Sequence, residues 1–331
     1  MTDAPSDREL VELLSRQDGI GEVVSLSREP YRYATSAPLE HLQVKTTDGE
    51  ELDMILKDLT RERLIGDAGA TKPEFLHQPE REIETYSGIL APAGVGPRFF
   101  GSEPGRHWLL IEKVPGVELW QVGELEVWEE VARWLGGFHS RFTGRLEEVR
   151  AANPHLIDLS AEWVRSWSDR AQERLADLDG PRAQSLQRAL ERYEEVVDSL
   201  CALPRTFVHG ELYPSNVLVE PGSPSRICPV DWEMAGIGPG LVDLAALVGG
   251  WKESEQARLV GAYIRGRDDA SGRAEDPVSL EEDLTRCRLH LALQWLGWSS
   301  DWRPPPEHAH DWLGEALELA GELGLARREG S

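Results

Sequence analysis

The chain has 331 residues, 40% of them hydrophobic and 28% charged, an ordinary globular composition with length enough for one large domain or two lobes. Its formal net charge of −24 disfavours nucleic acid and anionic lipid as partners, since both need basic patches, and would suit a cationic small substrate; the blander reading is that acidic helix faces keep the chain in solution. No apolar run is long enough to cross a bilayer, and three widely spaced cysteines, Cys201, Cys228 and Cys287, argue against a disulfide framework or a Cys-based zinc site.

The first residues, MTDAPSDREL, carry neither the basic start nor the apolar stretch of an export signal, so a cytoplasmic location is expected. The first third reads as β-rich with one helix. SAPLEHLQVKT and ELDMILKDL are predicted strands joined at Asp48-Gly49, a favoured hairpin turn. In the second strand Leu52, Met54 and Leu56 make one apolar face, while Ile55 and Lys57 share the other. PEREIETYSGILAPAG has helical spacing, with Pro79 in its first turn and Pro92 and Gly94 ending it. RHWLLIEKVPG is a short strand stopped at Pro115-Gly116.

Beyond it the chain turns mainly helical. LEVWEEVARWLGGFHSRF carries a helix stripe, with His139 packed between helices, and one or two further helices are predicted between Ser160 and Leu203. Short apolar strands, RTFVH, SNVLVE and RICPVDW, interrupt the helices. Helices resume near Leu241, broken by the turn-rich RGRDDASGRAEDP and by the prolines from Pro304 to Pro306. The expected architecture is α+β: a small β-rich N-lobe over residues 1–113 and a larger, mainly helical C-lobe over 114–331.

The chemistry concentrates in HGELYPSNVLV and PVDWEMAG. Asp231 and Asn216 offer hard oxygen ligands of the kind Mg²⁺ takes, and Glu211 is a separate carboxylate able to accept a proton from a substrate hydroxyl. Phosphoryl transfer needs little beyond positioning and charge neutralisation. In the N-lobe Lys57 would reach nucleotide phosphates and Glu82 would hold it, with Glu80 and Glu84 as rivals. Ile55 would cover the base, and backbone groups around Glu112 and Val114 would bond its edge.

These residues resemble the aminoglycoside phosphotransferase and choline kinase superfamily, which has a bilobal protein-kinase-like fold. His209-Gly210-Glu211 with Asn216 matches that family's catalytic loop, and Asp231-Trp232-Glu233 its metal loop. Gly238-Pro239 and Asp243-Leu244-Ala245 follow as the family places them. The resemblance implies an ATP-dependent kinase, with GTP as the alternative nucleotide, acting with Mg²⁺ on a hydroxyl of an antibiotic, sugar or amino alcohol, as a monomer or homodimer. It also implies that His209 and Asp243 brace the catalytic loop.

Two departures stand out. The acid of the catalytic loop is Glu211 where the family has Asp, which keeps the same basicity class but reaches farther from the backbone. No glycine-rich phosphate loop is present; REPYRYATSAPLE lies in its place, with Thr35 and Ser36 as substitutes. They motivate a nucleotide-binding pseudokinase as one alternative; nucleotidyl transfer on the same fold is the other. Glu233 belongs either to the metal site or to the acceptor pocket. Trp295, Trp298 and Trp302 form an aromatic helix face that either receives the acceptor or packs as core, the latter being the more frequent use of such spacing.

Overall fold

The structure, a computed structural model, describes residues 4–17, 19–31, 36–66, 68–271, 277–298 and 310–325. They group into two compact units. The first comprises Met1–Val117, Ala151–His155 and Leu218–Glu233; the second comprises Glu118–Arg150, Leu156–Val217 and Met234–Ser331. Among the described residues no helix is long and apolar enough to cross a membrane.

The first unit is built on five antiparallel strands, β1 (Val23–Pro30), β2 (Leu39–Thr46), β3 (Glu51–Asp58), β4 (Phe99–Glu103) and β5 (Trp108–Glu112), in the order β1-β2-β3-β5-β4. The expected hairpin is β2–β3, with Gly49 in the left-handed region at φ 87°. Register puts His41 beside Ile55 and Ile55 beside Ile111; Leu39, Lys57 and Leu109 form the next row. The opposite face, with Leu42, Val44, Leu52, Met54 and Leu56, is apolar and needs a cover.

That cover is a helix the sequence reading did not anticipate, α1 (Asp7–Leu14), whose Leu10, Leu13 and Leu14 join the same core. Ser6 and Glu9 close its N-terminus reciprocally: the Ser6 hydroxyl accepts from the Glu9 N–H and the Glu9 carboxylate from the Ser6 N–H. Full burial of each leucine contributes about 1.5–3 kcal/mol.

The helix from Pro79 runs to its expected end at Gly94, but not as one uniform α-helix. Pro79–Glu84 is followed by a π-helical turn, Thr85–Leu90, and a last turn, Ala91–Ala93, that contains Pro92. Gly94, at φ 64°, ends it. Pro92 has no N–H to lose, so a wide turn just upstream sacrifices little.

In the second unit the helix Leu125–Thr143 crosses Glu253–Ser271 closely: a Cβ on Gly136 would lie 2.1 Å from the Tyr263 carbonyl oxygen. The close crossing explains why the second helix runs to Ser271, through the glycine and aspartates that read as turn-forming. Between Ser160 and Leu203 there are three helices, Ala161–Ala176, Pro181–Leu190 and Glu194–Ala202, because Gly180-Pro181 starts a new one. A small sheet orders Ile157–Asp158, Gly236–Pro239 and Arg205–Val208, the middle strand made from a GIGP segment that shows no apolar alternation. The prolines at 304–306 lie outside the described residues.

Candidate active site

In the first unit β3 carries Lys57 inward from the sheet, and its ammonium lies 2.7 Å from Glu82 and 2.5 Å from Asp231. Glu82 is the acid that meets Lys57. Glu80 faces His107 at 3.2 Å and Glu84 faces His155 at 3.8 Å. Helical spacing explains the choice: Glu82 lies on the buried side of its helix with Ile83 and Tyr86. Burial works against the Lys57 charge, but Asp231, Glu82 and Glu233 outweigh it and hold the ammonium well above the usual lysine range. Burial likewise pushes the Glu82 carboxyl up to about 7, with Asp231 and Glu233 adding to the rise and Lys57 opposing it.

The Asp231-Trp232-Glu233 turn is fixed at every residue. Asp231 has a left-handed backbone at φ 65°, strained for a residue with a Cβ. The Trp232 side chain is fully buried and its backbone N–H donates to Glu82. The Glu233 carboxylate pairs with Lys72, and its carbonyl oxygen accepts from Arg81 at 2.6 Å. Arg81 is buried and also donates to the Leu76 and His155 carbonyls; burial pulls its guanidinium down to about 10. Lys72 and Arg81 were missed in the sequence: Lys72 is a lone cation among short turns, and Arg81 sits in the Pro79–Glu84 helix with nothing in its spacing to pair it with the Glu233 carbonyl.

Ile55 shares the Lys57 face of β3, as alternation demands. The Glu112 N–H is already taken by the Arg98 carbonyl, and its carboxylate is paired with Arg226 at 2.6 Å, which holds it below the usual carboxylate range. Val114 is buried just beyond the strand. Ser36 lends its carbonyl to the Ile65 N–H, while Thr35 lies outside the described residues.

In the second unit the loop after Arg205–Val208 is held by one carboxylate. Asp243, fully buried, accepts from the backbone N–H groups of His209 and Gly210, both at 2.8 Å. His139 bridges Asp243 and the Tyr263 hydroxyl. His209 turns its Nδ1 to accept the Glu211 N–H at 3.3 Å. Gly210, at φ 86°, has no room for a side chain: a Cβ would sit 2.4 Å from the Met234 carbonyl oxygen. Asn216 donates its amide N–H to the Glu211 carbonyl, leaving its own oxygen as the atom suited to a cation.

Tyr213, from the same loop, accepts a hydrogen bond from the Trp295 indole N–H at 2.5 Å. Trp295 stacks on Trp312 and leans on Trp298, which stacks on Trp167. Trp295 and Trp298 are half-buried, so this aromatic row is neither a closed core nor a free surface. Trp302 lies outside the described residues. Among the described residues no group of three or more His, Cys, Asp or Glu side chains is placed to hold a metal, so an all-protein metal cage is not what this arrangement offers.

Residues 37–279 match the family described as "Phosphotransferase enzyme family". A viomycin phosphotransferase from Streptomyces vinaceus is 32% identical over 179 residues, 48% of this chain and 60% of that protein's length. The fold is similar to that of choline kinase LicA from Streptococcus pneumoniae, with a TM-score of 0.58 at 15% identity over 92% of this chain and 94% of that one. It is also similar to an aminoglycoside 2'-phosphotransferase-IIIa in its GDP complex, with a TM-score of 0.54 at 15% identity over 96% and 98% of the two chains.

Proposed function

Because this chain belongs to the phosphotransferase enzyme family, we propose that it transfers the terminal phosphoryl group of a nucleoside triphosphate to a hydroxyl of a small molecule. The observation that carries this reading is the Lys57 ammonium set between Glu82 and Asp231 in a buried, charge-rich site. The GDP complex of the aminoglycoside phosphotransferase supports a nucleotide donor, for which ATP is the first choice and GTP the alternative.

Lys57 binds the phosphates, and Glu82 keeps it from swinging away. Ile55, one pleat along the same face, covers the base, whose edge is bonded by the backbone at Val114 rather than by the committed Glu112 N–H. Asp231 fits a divalent cation: its carboxylate is a hard oxygen donor, its side chain is 33% exposed, and its strained backbone aims it. Asn216 is the candidate ligand carried by the second unit. Mg²⁺, when bound, neutralises charge on the phosphate oxygens. Glu211 takes the hydroxyl proton as the new O–P bond forms and the bond to the leaving diphosphate breaks. The aromatic row of Tyr213, Trp295 and Trp298 lines the acceptor, whose class is an antibiotic, sugar or amino alcohol.

Incubation with ATP, Mg²⁺ and a panel of such acceptors, followed by mass spectrometry, tests the reading. A phosphate added to an acceptor supports it; an added nucleotide turns it into nucleotidyl transfer, and no product together with no Mg·ATP binding overturns it. Asp231→Asn is expected to abolish metal-dependent nucleotide binding. Glu211→Gln is expected to keep binding and lose turnover by about 10²–10⁴-fold. Full turnover in Glu211→Gln would remove its role as base.

A further inference from the structure

The lysine that no motif announces is Lys72. Its side chain is only 9% exposed, yet it sits in a stretch of short turns between Arg61 and Leu76. A buried ammonium persists only where a partner balances it. That partner is Glu233, itself 18% exposed, two residues after Asp231. The acids on either side of Trp232 therefore each have their own lysine, Lys57 for Asp231 and Lys72 for Glu233.

The two pairs face different demands. A nucleotide's phosphates compete for Lys57, and the Lys57–Asp231 contact is the one that must loosen. Glu82 still holds the Trp232 N–H and Arg81 the Glu233 carbonyl, but both grip the backbone of the turn. The Lys72–Glu233 pair instead grips the turn through the side chain of one of its acids.

We propose that Lys72 is a positioning residue of this site: by anchoring Glu233 it keeps the turn, and with it the left-handed Asp231, aimed at the cation when Lys57 moves to phosphate. The proposal rests on the phosphotransferase reading above. It also removes Glu233 from the acceptor's partners, because its charge is already matched within the first unit.

The test is a calorimetric titration of a non-hydrolysable ATP analogue at a series of Mg²⁺ concentrations, with Mn²⁺ binding followed by electron paramagnetic resonance. Neither readout needs turnover. Lys72→Met is expected to raise the half-saturating Mg²⁺ about 10–100-fold, as loss of an outer support of a metal ligand does, while metal-free nucleotide affinity stays at the wild-type value. Glu233→Gln should give the same shift, the double variant no more than either single one, and Lys72→Arg should recover most of it. Additive effects, or a Lys72→Met loss confined to metal-free nucleotide affinity, would place Lys72 on the phosphates and overturn the proposal. If Lys72→Met does not fold, Glu233→Gln decides: wild-type Mg²⁺ dependence there overturns it. A wild-type protein that binds no nucleotide with Mg²⁺ sinks both this proposal and the phosphotransferase reading, whereas wild-type binding in every variant sinks this proposal alone.

Discussion

The two sets of functional side chains are held by different forces. In the first unit Lys57 faces Glu82 and Asp231 and Lys72 faces Glu233, so ion pairs do much of the fixing, with Arg81 holding the Glu233 carbonyl. In the second unit the His209-Gly210-Glu211 loop is fixed by backbone N–H groups on one carboxylate and one imidazole. Ion pairs can exchange partners when phosphate and metal arrive. Buried backbone donors cannot move without being orphaned, at about 1–3 kcal/mol each. On the phosphotransferase reading proposed above, the adaptable half of the chemistry falls to the first unit and the rigid half to the second.

Removing one member from each set tests the contrast most strongly. Asp243→Ala strands two backbone donors and His139 around a fully buried position, and is expected to lower the unfolding free energy by about 3–5 kcal/mol. Lys57→Met removes a cation from a cluster that can rebalance, because the Glu82 carboxyl, already up at about 7, takes a proton near neutral pH. Its stability loss in urea unfolding should be the smaller of the two, while nucleotide binding disappears. A larger stability loss in Lys57→Met than in Asp243→Ala breaks the comparison.

Acid should separate the units in the opposite sense. Glu82 at about 7 stands above its ordinary 4.5, so the stability it lends is complete below about 4.5 and is lost as pH rises through 7. Burial pushes the His290 imidazole, in the second unit, down to about 4 from 6.5, so its neutral form lends stability that is complete above 6.5 and is lost as pH falls toward 4. Between about pH 7 and about pH 5 the His290 contribution should fall by about 2 kcal/mol, since each unit of pKa difference is worth about 1.4 kcal/mol. His290→Gln should flatten that part of the stability profile; an unchanged slope would remove His290 as its cause.

How much of this was legible in sequence follows the same divide. The second unit's loop could be read because its residues fall in one short motif: Gly210 has no room for a side chain, since a Cβ there would lie 2.4 Å from the Met234 carbonyl oxygen, and Asn216 bonds the carbonyl of Glu211, five residues back. Lys57 and Glu82 were legible because strand alternation and helix spacing each fix a facing direction. Lys72, Arg81 and the Tyr213–Trp295 bond were not, because they join segments far apart in the chain and carry no periodic signal. The small GIGP strand escaped for a related reason: its place comes from neighbours on both sides, not from its own composition.

One miss was avoidable, and it gives the smallest effect expected here. Ser6-Asp7-Arg8-Glu9 followed by Leu10, Leu13 and Leu14 is a capping box leading into an apolar helix stripe, and both reciprocal bonds are present. Ser6→Ala removes one of them and should lower stability by about 1 kcal/mol. The leucines of α1 cover the sheet face opposite Lys57, on the far side of β3 from the charge cluster. If that cluster is held by its own ion pairs, Ser6→Ala shifts the unfolding midpoint and leaves the Mg²⁺ dependence of nucleotide binding as it was. A change in that dependence would show that core packing, and not charge alone, sets the cluster's geometry.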